Sequence, residues 1–235
     1  MAHLIHKLAY KFAHNKLAIL LFRPLYRRYN ARIYEKKNKL FLKNAIDVAR
    51  AITTLFQNNN IQYWFEFGSL LGAYRDHGFI PHDFDIDLGV MFKDKAAIRE
   101  ILISNGFKLV REFTTNHGDE YGCEQTYSYL GIPIDLFFFH INGNQMFCNS
   151  FRHKPNGDSY NTWEVEEVTL PYSGFKAMDF LGITIQVPKN IEMHLKSNYG
   201  ENFMIPDPNF SYADTATNVK WYPIEERYGI IKEYV

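Results

Sequence analysis

Residues 85–88, Asp-Ile-Asp-Leu, set two carboxylates two positions apart in an otherwise apolar run. On a β-strand successive side chains point to opposite faces. Asp85 and Asp87 therefore share one face, while Ile86 and Leu88 share the other and must enter a core. Two adjacent carboxylates raise each other's cost of ionisation. Such a strand needs either open solvent or a compensating cation. A hard ion with oxygen ligands suits the second case: Mg²⁺, with Mn²⁺ as the alternative. A solvent-exposed strand end is the plainer reading of the pair taken alone.

The surrounding pattern narrows the choice. Residues 40–58 repeat Leu42, Ile46, Ala49, Ile52 and Phe56 at spacings of three and four, which predicts a helix ended by Asn58-Asn59-Asn60. A short strand from Tyr63 to Phe67 then meets Gly68, and Ser69 opens a helix to Tyr74. Glycine lets the backbone approach a phosphate closely, and a helix start offers free N–H groups and a positive dipole end. An ordinary N-cap serine is the plainer alternative. A polar loop at 75–84, a strand at 85–92 and a helix at 95–104 follow. Strands are expected at 107–113, 123–130, 132–139, 145–151, 163–170 and 183–187, with a loop at 153–161. Pro188 is expected to start a helix reaching Tyr199. The order predicts an α+β fold, a mixed sheet flanked by helices.

A third carboxylate, Asp135, is the only charge in Ile132–Phe139. Buried acids are rare unless paired with a cation or bound to a metal. The Gly68-Ser69 turn, the Asp-x-Asp strand and the later lone Asp together point to metal-assisted phosphoryl chemistry, with Asp135 as third ligand or base. Arg75, one and a half turns beyond the phosphate turn, is a candidate phosphate clamp. His77 and His82 flank the acidic loop, and Arg152, His153 and Lys154 form a basic cluster that could meet a nucleotide or glycan phosphate, a solvated loop being the plainer reading.

The run F-G-S-L-L-G-A-Y-R-D-H-G-F-I-P-H-D-F-D-I-D-L-G closely resembles the LicD/fukutin family of the nucleotidyltransferase superfamily. The usual form there is close to F-G-T-L-L-G-x-x-R-x-x-G-x-I-P-W-D-D-D-I-D-x-G. The likeness covers residues 65–89, with a weaker echo at 188–206 near the family's late Tyr-Gly motif. The resemblance implies a nucleotidyltransferase-like core that transfers a phospho-alcohol, such as phosphocholine or a polyol phosphate, from a CDP-activated donor. The acceptor would be a hydroxyl of a cell-surface glycan, with CMP released. It also implies catalytic and metal-holding roles for Asp85, Asp87 and Asp135. Substrate contacts would come from Gly68, Ser69, Arg75, His82 and Asp83. His82 stands where the family usually has Trp, and Phe84 where it usually has Asp.

Charge adds a second theme. Residues 1–40 carry ten Lys and Arg against one acid, Glu35, whereas the whole chain is neutral, so residues 41–235 are acidic. An acidic body welcomes a divalent cation and argues against nucleic acid as partner. Residues 3–22 form a basic, loosely amphipathic helical pattern that Pro24 is expected to interrupt. Residues 1–39 therefore read as an extension suited to anionic membrane, and 40–235 as the catalytic domain. A lipid-linked glycan acceptor would fit that extension. The longest apolar run near the N-terminus is too short to span a bilayer and runs into Arg23-Pro24 without a cleavage pattern. Two cysteines, Cys123 and Cys148, suit a reduced cytoplasmic setting at the inner membrane face. Two rivals stand beside the transferase: a glycosyltransferase with an Asp-x-Asp metal site, and a non-catalytic glycan-binding domain of the same fold.

Overall fold

A computed structural model of the protein describes residues 16–153, 163–207, 210 and 216–234. The N-terminal part of the basic pattern, residues 3–15, lies outside the described residues, as does Lys154 of the basic cluster. From Lys16 a single helix, α1 (Lys16–Asn58), runs for 43 residues, about 65 Å at 1.5 Å per residue. Pro24 does not interrupt it. The proline forfeits one backbone donor, a local penalty of roughly 3 kcal/mol, and flanking turns rich in Leu and Arg carry the helix past it. Its C-terminal part docks: Phe41, Ala45, Val48, Ala49, Ile52 and Phe56 are buried at helical spacing, while residues 28–40 are mostly exposed.

After Asn58 come β1 (Tyr63–Phe65), a short helix α2 (Phe67–Leu71), a π-helical turn (Gly72–Asp76) and β2 (Ile86–Met91). Next are α3 (Lys95–Ser104), β3 (Lys108–Thr115), β4 (Gly118–Tyr129), β5 (Ile132–Asn142) and β6 (Gln145–His153). The chain continues through β7 (Trp163–Pro171), the hairpin β8 (Phe175–Phe180) and β9 (Ile183–Pro188), α4 (Ile191–Tyr199), β10 (Val219–Trp221) and β11 (Tyr228–Glu233). Three strands, β8, β10 and β11, lie where no strand is expected from sequence. Pro188 closes β9 instead of opening the helix. Asn190 caps α4, its side chain accepting from the Met193 N–H at 3.1 Å, and an Asn cap satisfies a donor that Pro cannot.

Among the described residues nine strands form one sheet in the order β1-β2-β5-β4-β3-β11-β7-β10, with β6 pairing both β5 and β7. The pairings β5–β4–β3–β11–β7–β6–β5 close on themselves, so the sheet curls over one of its own faces. β2 and β5 are parallel and the other pairs antiparallel. The α+β class and the mixed sheet expected from sequence are both present.

The outer face of this sheet packs on α1 and α3. Ile86, Leu88 and Val90 of β2 join Phe41, Ile52, Ile98, Leu102 and Ile134 in one large core. The inner face carries a second cluster of Trp64, Phe137, Phe139, Met146, Cys148, Val168 and Leu170. Trp64 also stacks on Phe175 of the hairpin, with centroids 4.4 Å apart.

Gly89 of β2 pairs with Trp64 of β1, and its missing side chain makes room for the indole: a Cβ there would lie 2.2 Å from Trp64 Cε2. Gly89→Ala is expected to lose roughly 2 kcal/mol of stability through overpacking. Thermal unfolding should show this as a lowered midpoint. The control Gly78→Ala, whose Cβ would meet only Asp76 O at 3.8 Å, should leave the midpoint nearly unchanged.

Candidate active site

Register places the key side chains in one row across four strands. Asp87 of β2 lies opposite Asp135 of β5, Asp135 opposite Thr126 of β4, and Thr126 opposite Arg111 of β3. The Thr126 hydroxyl donates to Asp135 Oδ1 and accepts from Arg111 Nε at 2.8 Å. Arg111 also comes within 3.7 Å of Asp135 Oδ1. Asp85, one residue before β2, shares the face of Asp87 by strand alternation. The row is thus anionic at the β2 end and cationic at the β3 end.

The Gly68-Ser69 turn is stitched to the same strand. The Gly68 N–H donates to Asp87 Oδ2 at 3.1 Å. The Asp87 N–H donates to Ser69 Oγ at 2.9 Å, and the Glu66 N–H donates to the Asp87 carbonyl at 3.1 Å. A Cβ on Gly68 would lie 3.2 Å from Asp87 Oδ2 and 3.4 Å from Asp83 Oδ2, so glycine lets the turn sit directly against both acids. The Gly68 amide and the Ser69 hydroxyl therefore hold Asp87 in place. Phe67, just before, adopts φ 41°, a left-handed conformation costly for a bulky residue and typical of functional turns.

Glu66 is the residue that sequence reasoning missed. It is fully buried and caps α2, accepting from the Phe67 N–H at 3.1 Å. It also takes Trp64 Nε1 at 2.7 Å, and Asn198 Nδ2 comes within 3.4 Å. His194 Nε2 lies 2.8 Å from its Oε1. His194 and Asn198 sit one turn apart on the buried face of α4, so the late helix is tied to the Gly68-Ser69 turn through one carboxylate. The signal was present in the sequence: Glu66 is the lone acid in Tyr-Trp-Phe-Glu-Phe, the same anomaly that singled out Asp135.

The acidic loop is held from outside by α1. Asn38 Nδ2 donates to the carbonyls of Pro81 at 2.8 Å and Asp83 at 2.9 Å. The Tyr34 hydroxyl donates to the His82 carbonyl at 3.0 Å. Phe84, in place of the expected acid, packs edge-on to Tyr34 at 5.3 Å and beneath Lys37. The helix crosses residues 39 and 40 without a break, and Tyr34, Lys37 and Asn38 before that point touch the acidic loop.

Two cavities open on this arrangement and share Tyr199 and Phe210. The larger, about 690 Å³, is lined by Gly68, Arg75, Ile80, His82 and the 202–207 segment. The smaller, about 310 Å³, is lined by Phe67, Asp87, Phe137 and Ser150. Arg75 grips Asp76 through Nε at 2.9 Å and a second nitrogen at 2.8 Å while facing the larger cavity. His77 ends the π-helical turn in a left-handed conformation. Ser69 and Asp135 are buried. Cys123 and Cys148 are free and buried.

Burial dominates the electrostatics. It pushes Asp83 up to about 6 against the pull of Arg75. Burial, then Asp135 and Asp83, push Asp85 up to about 7. Burial and the charges of Asp85, Asp135 and Asp83 hold Asp87 well above the usual carboxylate range. Burial raises Asp135 as well, opposed by Arg111. Glu124 of β4, a further acid not singled out in the sequence, is pushed to about 8 by burial and by Asp135. These acids are crowded, desolvated and short of positive charge. Among the described residues, no group of three His, Cys, Asp or Glu side chains is poised as it stands to hold a metal ion.

With this geometry in place, comparison with known proteins is decisive at the level of family. The LicD/FKTN/FKRP nucleotidyltransferase domain matches residues 60–190, more than half of the chain. The chain belongs to that family. The match runs from β1 through β9 and so contains the turn, the acidic loop and the Asp87–Asp135 row. The ribitol-5-phosphate transferase FKTN of Mus musculus is 24% identical over 200 residues, covering 83% of this chain and 41% of that protein. The ribitol 5-phosphate transferase FKRP of Homo sapiens is 27% identical over 172 residues, 69% of this chain and 33% of that protein. An uncharacterized protein of Rickettsia prowazekii (strain Madrid E) is 40% identical over 114 residues, 47% of this chain and 40% of its own. The chain thus matches less than half the length of each of these relatives.

A carboxyl whose folded pKa lies above its unfolded value near 4 binds its proton more tightly in the native state. Its stabilising contribution is full below about pH 4 and is lost as pH rises through its folded pKa. For Asp85 that window closes at about 7. In metal-free buffer, Asp85→Asn should match the parent melting temperature near pH 4 and exceed it increasingly towards pH 7.5. Calorimetry across that range checks the divergence; parallel curves would mean that Asp85 is not under electrostatic stress.

Proposed function

We propose that the chain transfers a phospho-alcohol group from a CDP-activated donor to a glycan hydroxyl, releasing CMP. The observation that carries this reading is the pairing of Asp87 with Asp135 beside the Gly68 turn: Asp87 lines the smaller cavity, and Gly68 lines the larger one together with Arg75. The acceptor oxygen bonds to the donor phosphorus while the bond to the CMP oxygen breaks, and the hydroxyl proton passes to a carboxylate. The relatives named as ribitol-5-phosphate transferases support a polyol phosphate as the group moved.

The donor set fits a hard divalent cation: it is made of oxygens only, and its acids are raised for want of compensating charge. Asp85, Asp87 and Asp135 would hold Mg²⁺, with Mn²⁺ as the alternative. When bound, the ion neutralises charge on the transferred phosphate. Arg75 meets the donor phosphates from the larger cavity, where a guanidinium gives a forked, charge-assisted contact. His82 and Asp83 border the same donor. Tyr199 and Phe210, 5.3 Å apart at the junction of the cavities, offer aromatic faces to the cytosine base. Asp135 completes the site as a ligand or as the proton acceptor. Catalysis then comes chiefly from positioning and charge neutralisation.

Among the described residues no helix is long and apolar enough to cross a membrane. The exposed, basic stretch of α1 from Arg28 to Lys39 supports peripheral contact with an anionic membrane, where a lipid-linked glycan would present its hydroxyl. Cosedimentation with phosphatidylglycerol vesicles, lost on removing residues 1–33, checks that part separately.

Incubation with CDP-ribitol, CDP-glycerol, CDP-choline or CDP-ethanolamine and Mg²⁺ should yield CMP with one of these donors, and chelation should abolish it. Asp87→Asn should lower turnover by about 10³-fold or more. Arg75→Ala should raise the donor KM by about tenfold, the loss of one charge-assisted contact. Release of CDP from a nucleotide-sugar instead would mark glycosyl transfer and overturn the proposal.

A further inference from the structure

Beyond the smaller cavity the sheet continues outward as an ordered patch that the transfer chemistry leaves unused. Ser150 of β6 pairs with Glu166 of β7, and Glu166 pairs with Trp221 of β10. Two residues along, Arg152 pairs with Glu164, and Glu164 pairs with Tyr228 of β11. Alternation puts all six side chains on one face. Three contacts agree with that placement. The Ser150 hydroxyl donates to Glu166 Oε1 at 2.7 Å, Arg152 lies 3.6 Å from Glu164, and its guanidinium sits 4.4 Å over the Trp221 ring.

The first row begins at the wall of the cavity that holds Asp87, because Ser150 lines it. With strands about 4.8 Å apart and rows about 7 Å apart, the patch reaches about 10 Å outward from that wall. Glu166 is buried, Ser150 and Glu164 are half-buried and Arg152 is exposed, while the outer members, Trp221 and Tyr228, are 37% and 38% exposed.

We propose that this patch is the acceptor subsite, a platform for a short saccharide whose reacting hydroxyl projects over Ser150 towards Asp87. The inference rests on the transferase reading and deepens it. Its chemistry selects a sugar over other partners. Aromatic faces stack on the C–H surfaces of a pyranose, and planar forks such as Arg152 and Glu164 each bind two neighbouring hydroxyls. Arg152 and Glu164 offset one another at the exposed end of the patch, and the further acid Glu166 lies buried behind them, so a polyanion is not favoured. The Arg152 stack on Trp221 and its ion pair to Glu164 fix these groups before a ligand arrives, which reduces the ordering cost of binding. Glu166 Oε2 is buried without a hydrogen-bond partner, beside the hydroxyl of Ser150 where the reacting end of the sugar would enter.

The test uses the full chain on a printed array of defined neutral and anionic oligosaccharides. A parallel thermal-shift titration with CDP-ribitol, CDP-glycerol, CDP-choline and CDP-ethanolamine, each with Mg²⁺, reports the donor side. The parent protein should bind a subset of neutral glycans. Trp221→Ala and Arg152→Ala should each weaken that binding by about tenfold or more, while Trp221→Phe, which keeps the ring, should retain most of it. Donor stabilisation should be the same in all of these proteins, which also shows that they fold. Glycan binding by Trp221→Ala and Arg152→Ala equal to the parent's would overturn the proposal, as would a parent that binds no glycan on the array. The donor titration reads the transferase proposal independently: glycan binding that depends on Trp221 without any donor shift would uphold the platform and count against phosphotransfer.

Discussion

Parallel pairing of β2 with β5 fixes everything else at this site. It sets Asp87 against Asp135 and, through the antiparallel neighbours of β5, extends the row to Thr126 and Arg111. A one-residue slip would turn Asp87 into the outer core and bring Ile86 or Leu88 to the cavity. The register is therefore enforced by burial of Ile86, Leu88 and Val90 against α1 and α3. The same strand pair that closes the core also aims the chemistry.

Holding acids in that position requires structure on every side. Asp87 takes an N–H from Gly68 and gives its own to Ser69, so the glycine turn and the acid strand form one rigid unit. Glu66 then binds that unit to α4 through His194, a buried contact that removing either partner would leave uncompensated. From the opposite side, Asn38 of α1 grips the loop carrying Asp83. The carboxylates stay crowded and raised because these supports prevent them from spreading apart. Acids held together in that way, desolvated and short of positive charge, are under electrostatic stress.

Much of this was legible in the sequence, and the exceptions have physical causes. Asp85, Asp87 and Asp135 stood out because charge in an apolar strand must be compensated, and the α+β order followed from short alternating segments. Ser69 was legible as a turn residue, but its partner was not, since a hydroxyl facing the Asp87 amide depends on strand register. Pro24 misled because a local penalty does not decide the fate of a long helix. β10 and β11 were missed because Val219–Trp221 and Tyr228–Glu233 are short pieces with charged residues, and their pairing comes from distant β7 and β3. Phe84 could not be understood from its own position, since its partner Tyr34 lies fifty residues earlier on a different element. Glu66 carried a readable anomaly, but its meaning needed His194, more than a hundred residues away.

The central claim is that acids from two separate strands act together on one cation. Electron paramagnetic resonance of Mn²⁺, titrated into the protein with CDP present, measures this most directly. Bound Mn²⁺ should be lost in Asp87→Asn and strongly weakened in Asp135→Asn, although the two residues come from strands far apart in the chain. Mn²⁺ binding that is unchanged in both variants, or that depends on Asp87 alone, would contradict the shared site.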